Sequence, residues 1–347
     1  MPKTPFESLT DYIALPRVEG LALSPDGARV VLTVATLKSD ETAYERALWE
    51  VRADGSGVPR RLTRSAKGES GAAFLSNGDA VFVSARPGSD DDDEAAQLWL
   101  LPASGGEARP VTRLTGGVSG IAATATASER VILAADLLPS AESIEEDARL
   151  RAERKKHKVA AILHDSYPVR YWDHDLGPAA PHLFSLDLGG LEDTVIRERP
   201  SASDDAGAAK PYPADRPRPR DLTPRPGRSA DAAGVAVTPD GGTVVAAMQV
   251  PEGLDLRHRL VSIDVSSGAH TVLFDEPGVD LEWPVIDHTG TRIAFLRTAK
   301  STPAGPTAQE LWIAGIDGSG AHRIATDWDR WPTEFAFDAD DAALVAV

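Results

Sequence analysis

The sequence predicts an all-β protein assembled from repeated four-stranded antiparallel sheets, about five complete and the start of a sixth. Three observations support this. A hairpin motif recurs at near-constant spacing. A second pair of strands follows each hairpin at a matching offset. The 26 Pro and 29 Gly in 347 residues point to many turns rather than long helices.

The hairpins read "LSPDGARVVLTVA" from Leu23, "FLSNGDAVFVSA" from Phe74 and "TASERVILAAD" from Thr126, then "VTPDGGTVVAAM" from Val237, "IDHTGTRIAFLR" from Ile286 and "FDADDAALVAV" from Phe337. Each pairs a short strand with a Gly- or Asp-containing turn and a second, apolar strand. The turn positions Gly27, Gly78 and Glu129 are 51 residues apart, and Gly241, Gly290 and Asp341 are 49 and 51 apart. A further strand pair follows in "RALWEVRADGSGVPRRLT", "AQLWLLPASGGEARPVT", "PHLFSLDLGG", "HRLVSIDVSSGAHTVLF" and "QELWIAGIDGSGAHRIA". Four strands per unit of about 50 residues describe the blades of a β-propeller. One blade cannot cover both of its faces, so neighbours must stack around an axis. Trp49, Trp99 and Trp312 recur on the third strands, where an aromatic is expected to belong to the core between blades.

Between Glu129 and Gly241 the spacing jumps to 112, so the third blade carries insertions at about 138–180 and 198–220. The first holds "SIEEDARLRAERKKHKVAAILHD", with a capping box at Ser143-x-x-Glu146 and opposite charges at Glu145/Arg149 and Asp147/Arg151. Its apolar residues collect at Val159, Ile162 and Leu163, which predicts a protruding helix anchored at its C-terminal end. The second, rich in Pro, Ala and Asp, is expected to be a poorly ordered loop. The division expected is a lead-in segment over residues 1–20 and an incomplete propeller over 21–347.

A net charge of −17 disfavours nucleic acid or an anionic membrane as the main partner. The absence of Cys excludes a thiol nucleophile, disulfides and Cys-based metal sites. The first residues lack an apolar run of signal-peptide length, and nowhere do 18 apolar residues follow one another. The expectation is a soluble, cytoplasmic protein.

Two stretches carry a resemblance. "VRYWDHDLGPAAPHLFSLDL" (169–188) is similar to the Arg-x-Trp-Asp…His-Leu-Phe run in propellers of acylaminoacyl-peptidase-like and dipeptidyl-aminopeptidase-like enzymes, in the prolyl oligopeptidase family of serine peptidases. "LTDYIALPRVEGLALSPDGARVVLTV" (9–34) resembles the amino-terminal start of that family. The resemblance implies a propeller that gates an α/β-hydrolase domain carrying a nucleophilic Ser in a Gly-x-Ser-x-Gly elbow, with Asp and His after it. It implies short peptide substrates and no cofactor.

This sequence has no such elbow. "GGVSGI" (116–121) has the wrong spacing, so no catalytic residue is assigned within it. "DDAALVAV" stops inside what should be the second strand of a sixth blade. The expectation is a parent enzyme whose hydrolase domain follows this chain. The rival is a non-enzymatic propeller like that of the Tol system, acting as a protein-interaction platform. Oligomeric state is left open.

The candidate substrate-contacting residues are Arg170, Tyr171, Trp172, Asp173 and His174. Arg pairs bidentately with a carboxylate, and Trp offers an apolar wall. The competing role for Arg170 and Asp173 is to tie the inserted loop to its blade. No metal site is expected: His164, Asp165, Asp173, His174 and Asp175 lack ligand spacing and read as a solvated loop. Glu145-Glu146 reads as a solvated helix face rather than an amine-binding pair, and Asp90 to Asp93 as a solvated loop.

Overall fold

The computed structural model describes residue 4 and residues 6–86, 95–164, 168–173, 175–191, 211–232 and 234–347. Asp90 to Asp93, Asp165, His174 and most of the second insertion fall outside these. A short helix, α1 (Leu9–Ile13), is capped by Ser8, whose hydroxyl accepts from the Asp11 N–H at 3.3 Å.

Five four-stranded antiparallel sheets and one two-stranded sheet follow. Blade 1 is β1 (Arg17–Leu23), β2 (Arg29–Leu37), β3 (Tyr44–Arg52) and β4 (Arg60–Arg61). Blade 2 is β5 (Ser70–Phe74), β6 (Ala80–Ser84), β7 (Gln97–Leu101) and β8 (Arg109–Pro110). Blade 3 is β9 (Gly120–Thr124), β10 (Arg130–Leu137), β11 (Ala180–Asp187) and β12 (Arg220–Asp221), with α2 (Ile144–Lys156) inserted between β10 and β11. Blade 4 is β13 (Val235–Val237), β14 (Thr243–Glu252), β15 (Asp255–Asp264) and β16 (His270–Phe274). Blade 5 is β17 (Val279–Ile286), β18 (Arg292–Ala299), β19 (Ala308–Gly315) and β20 (His322–Ile324). The pair β21 (Phe335–Phe337) and β22 (Leu344–Ala346) begins a sixth. Each first strand contacts the first strand of the next blade, so these strands line a common axis.

The hairpin turns close alike. A turn-opening N–H reaches the carbonyl five residues on, as in Ser24 to Arg29 (2.8 Å), Ala125 to Arg130 (2.9 Å), Thr238 to Thr243 (2.9 Å) and Asp287 to Arg292 (3.1 Å). In blade 2 the span is one residue shorter, Leu75 to Asp79 at 2.9 Å. Three residues past the opening, Gly27, Gly78, Gly241, Gly290 and Asp341 are left-handed. Counting from the closing bond puts Ser128 at that position in blade 3, not Glu129 as spacing suggests. Neither is left-handed. Glu129 instead accepts from Ser76 of blade 2 at 2.8 Å.

Carboxylates organise several turns. Burial alone would raise the Asp287 carboxyl, but bonds from the Arg292 and Thr291 N–H groups, the Arg292 guanidinium and the Thr289 hydroxyl pull it down to about 2. Arginines then link turn to turn. Arg29 donates to the Gly78 carbonyl (2.8 Å) and lies over Phe74, while Arg292 donates to the Asp341 carbonyl (2.7 Å) and lies over Phe337.

Apolar clusters fill the seams between successive blades. Val31 and Leu48 meet Phe74, Phe82 and Trp99, and Val81, Val83 and Leu98 meet Val131, Leu133 and Phe184. Ile132, Leu183 and Leu222 meet Val244, Ala246 and Val261, and Val245, Ala247 and Leu260 meet Val279, Leu281 and Phe295. Of the repeated Trp residues, Trp99 is buried and donates to the Ser84 carbonyl at 3.1 Å. Trp49 and Trp312 are partly buried.

The inserted helix departs from expectation. Ser143 caps it, accepting from the Glu146 N–H at 3.1 Å, but the Glu146 carboxylate reaches back to the Glu142 N–H (2.9 Å). Its buried residues are Asp147 and Ala148, in the N-terminal half. Asp147, 2% exposed, accepts from the Leu138 N–H (2.8 Å) and from Arg151 (2.7 Å), whose guanidinium also donates to the Asp136 carbonyl at 2.9 Å. Val159, Ile162 and Leu163 are exposed. The anchor is thus a buried carboxylate, Asp147, paired with the half-buried Arg151 near the helix start, not an apolar C-terminal end. Glu145 pairs with Arg218 rather than Arg149. No helix among the described residues is long and apolar enough to cross a membrane.

Gly241 tests the turn chemistry. It is left-handed, and an added Cβ would sit 2.9 Å from the Arg130 side chain and from Ser128 Oγ. Gly241→Ala is expected to cost at least about 1 kcal/mol in chemical denaturation, whereas Gly120→Ala, with nothing within 4 Å, should cost less. Equal effects would contradict the inter-blade contact.

Candidate functional surface on the inserted-loop face

Within each blade, the turns joining first to second and third to fourth strands share one face of the ring. The second-to-third connections and the links between blades share the other. The blade 3 insertion is a second-to-third connection, so it lies on the same face as the Gly253-Leu254 turn of blade 4 and the Glu276–Gly278 link into blade 5.

The sequence-predicted residues 170–173 stand on this face. Arg170 and Asp175 form an isolated bridge, with Arg170 Nε 3.4 Å from Asp175 Oδ1. Tyr171 turns inward and donates its hydroxyl to Asp231, in the link between blades 3 and 4. Arg228 donates to the same carboxylate at 2.8 Å. Burial pushes the Tyr171 hydroxyl above its ordinary range, and Asp231 reinforces this, so Tyr171 remains a donor. Trp172 is 94% exposed and Asp173 is exposed. His174 lies outside the described residues. The residues that were grouped as one cluster thus divide: Tyr171 docks the loop, and Trp172 faces solvent.

Below the loop the polar surface continues. Beside Tyr171 lies Gln249 of β14, whose N–H donates to the Ser229 carbonyl at 2.9 Å. Directly across the β14–β15 ladder from Gln249 is His258. His258 spans the seam to blade 5: its N–H donates to Asp280 Oδ1 at 2.9 Å, and its Nδ1 lies 3.2 Å from that atom and 3.5 Å from Glu282 Oε1. Lys300 Nζ is 3.7 Å from Asp280 Oδ2. Burial alone would raise the Asp280 carboxyl, but His258 and Lys300 hold it below its ordinary range. Burial and the Asp280 charge push Glu282 up.

Trp283 comes next on this innermost strand, at a bulge, 56% exposed and with φ +53°. A bulky side chain in the left-handed region costs energy and is found where the surroundings impose it. Gly234 leaves the room, since a Cβ there would lie 2.8 Å from Trp283 Cα.

Sequence reasoning did not single out His258, Asp280, Glu282 or Trp283. The alternation Asp280-x-Glu282 was the available signal, since period two places both carboxylates on one side of a strand. Nothing local links them to His258.

No family model matches the chain. Over 244 residues it is 23% identical to dipeptidyl-peptidase 5 of Porphyromonas endodontalis, covering 70% of this chain and 31% of that protein. The chain therefore spans about a third of the length of this curated relative. Among solved structures it resembles an acylaminoacyl peptidase from Pyrococcus horikoshii, with TM-score 0.57, 13% identity, and coverage of 94% of this chain and 42% of that one. It also resembles the β-propeller domain of the Trilobed protease from Pyrococcus furiosus, which has an open velcro topology. There the TM-score is 0.51 and the identity 8%, covering 93% of this chain and 75% of that one. The fold is a β-propeller. These similarities support the resemblance read from the sequence, to the propeller portion of a prolyl oligopeptidase-family peptidase.

Loop docking and solvent exposure can be separated experimentally. Tyr171→Phe removes the donor to Asp231 and is expected to cost about 1.5–3 kcal/mol locally, read as faster hydrogen exchange over residues 169–176. Trp172→Ala should leave exchange unchanged and stability within about 0.5 kcal/mol. The reverse pattern would contradict the assignment.

Proposed function

We propose that this chain is the propeller of a serine peptidase of the prolyl oligopeptidase family, acting on short peptides of acylaminoacyl or dipeptidyl type. The observation carrying this reading is the 244-residue similarity to a dipeptidyl-peptidase. The helical insertion on one face of the ring agrees with it. In this reading the parent protein contains a further α/β-hydrolase domain. Its Ser attacks the scissile carbonyl, a His takes the Ser proton and passes it to the leaving amine, and an Asp orients the His. Water then releases the acyl group.

The propeller's part is selection. The ring limits access, and the inserted-loop face supplies the walls that meet a short peptide. Arg170, Trp172, Asp173 and His174 are the proposed contacts in the loop, with Tyr171 holding it in place. Arg170 would pair with a peptide carboxylate and Trp172 would cover an apolar side chain. Residues 1–347 supply no nucleophile in this scheme.

The test is fluorophosphonate labelling of the intact protein, with hydrolysis of acylaminoacyl and dipeptidyl chromogenic substrates measured alongside. The expected result is turnover together with one labelled Ser outside residues 1–347, and no labelling of the isolated 347-residue chain. Labelling of a Ser within these residues, or no peptide hydrolysis by the intact protein, would overturn the reading.

A further inference from the structure

The seam between blades 4 and 5 brings together one imidazole and two carboxylates on neighbouring strands. His258 stands on β15, while Asp280 and Glu282 stand two residues apart on β17. One ligand atom from each lies within 4.8 Å of the others. The His258 Nδ1 distances of 3.2 Å to Asp280 Oδ1 and 3.5 Å to Glu282 Oε1 have a specific meaning. A tetrahedral ion bound at ~2.1 Å by nitrogen and oxygen separates its donors by ~3.4 Å. The two distances from His258 bracket that separation, and the Nδ1–Asp280 contact, a hydrogen bond as it stands, would exchange its proton for the ion.

We propose that His258, Asp280 and Glu282 bind a first-row divalent cation, with Zn2+ the ion best matched to one imidazole and two carboxylates. This inference is independent of the peptidase reading.

Charge supports it. A neutral imidazole and two carboxylates carry two negative charges, which a divalent ion cancels. Lys300, 3.7 Å from Asp280 Oδ2, offsets part of this charge, but its hydrogen bonds go to Asp255 Oδ2 at 2.7 Å and to the Leu256 carbonyl. Among the described residues, His258 is the salt-bridge partner of Glu282. Orientation supports it too. The His258 main-chain N–H holds the Asp280 carboxylate at 2.9 Å, the kind of outer hydrogen bond that fixes a ligating group.

A further observation comes from Gln249, opposite His258 across the ladder. It is 8% exposed; its side-chain amide hydrogen-bonds Tyr171, and its Oε1 has no hydrogen-bond partner among the described residues. A buried orphan acceptor is costly. A water on a bound ion would supply its missing donor. The three ligating side chains are 17 to 23% exposed, which leaves an entry path and open positions on the ion.

The test is calorimetric titration of ZnCl2 into the intact protein after treatment with EDTA and dialysis, near neutral pH. One saturable site per chain is expected. His258→Ala and Glu282→Gln should each weaken it about tenfold or more, while Trp172→Ala binds as wild type does. Mn2+ should give an immobilised paramagnetic resonance signal in wild type that Zn2+ displaces. Glu282→Gln preserves shape, and circular dichroism checks that both variants are folded. Absence of saturable Zn2+ binding, or binding of undiminished affinity in folded Glu282→Gln, would overturn the proposal.

Discussion

The second strand of each inner blade is covered by protein on both sides, and its side chains alternate between two neighbours. On β10, Val131, Leu133 and Ala135 face blade 2 while Ile132 faces blade 4. On β14, Val244, Ala246 and Met248 pack toward blade 3 and Val245 and Ala247 toward blade 5. Such strands read as continuous apolar runs because neither side is left to water. Burying a Val, Leu or Ile contributes about 1.5–3 kcal/mol, so a blade taken alone would forfeit most of its stability. Stacking blade against blade about the axis is the arrangement that satisfies the second strands of blades 2 to 4 at once.

That constraint also produces the candidate surface. Stacking about an axis sends all second-to-third connections and all links between blades to one face. An insertion in blade 3 thereby meets the link into blade 4 through Tyr171 and Asp231. The same stacking lays β17 of blade 5 against β15 of blade 4, which is what places Asp280 and Glu282 beside His258. Blade seams are apolar midway along the strands and polar at both ends, with Arg29–Gly78 and Arg292–Asp341 at the turn face and His258–Asp280 at this mouth.

The repeat was legible because hairpin turns are set by local chemistry. Gly and Asp at left-handed positions, with Ser24, Thr238, Asp287 and Asp338 opening the turns outside blades 2 and 3, leave a mark that survives divergence of the strands. Blade 3 was misread by one residue because spacing counts chain length, whereas register follows the closing hydrogen bond from Ala125 to Arg130. The helix was found from Ser143 and its charge pattern. Its anchorage was not, since the apolar residues Val159, Ile162 and Leu163 suggested a contact that the buried Asp147, paired with Arg151, makes instead. The seam cluster was illegible for a simpler reason: its members are local to different blades, and only tertiary stacking brings them together. Trp172 and Tyr171, adjacent in the sequence, were grouped as one candidate patch, although one is docked and the other points to solvent.

Adjacent truncations on one second strand test the stacked ring most directly. Ile132→Ala and Leu133→Ala remove side chains from opposite faces of β10, each fully buried. The account expects both to lower the unfolding free energy by about 2–5 kcal/mol in equilibrium denaturation. A cost confined to one of the two, with the other within about 0.5 kcal/mol of wild type as at a surface position, would mean that the sheet has a solvent face and that the blades do not stack.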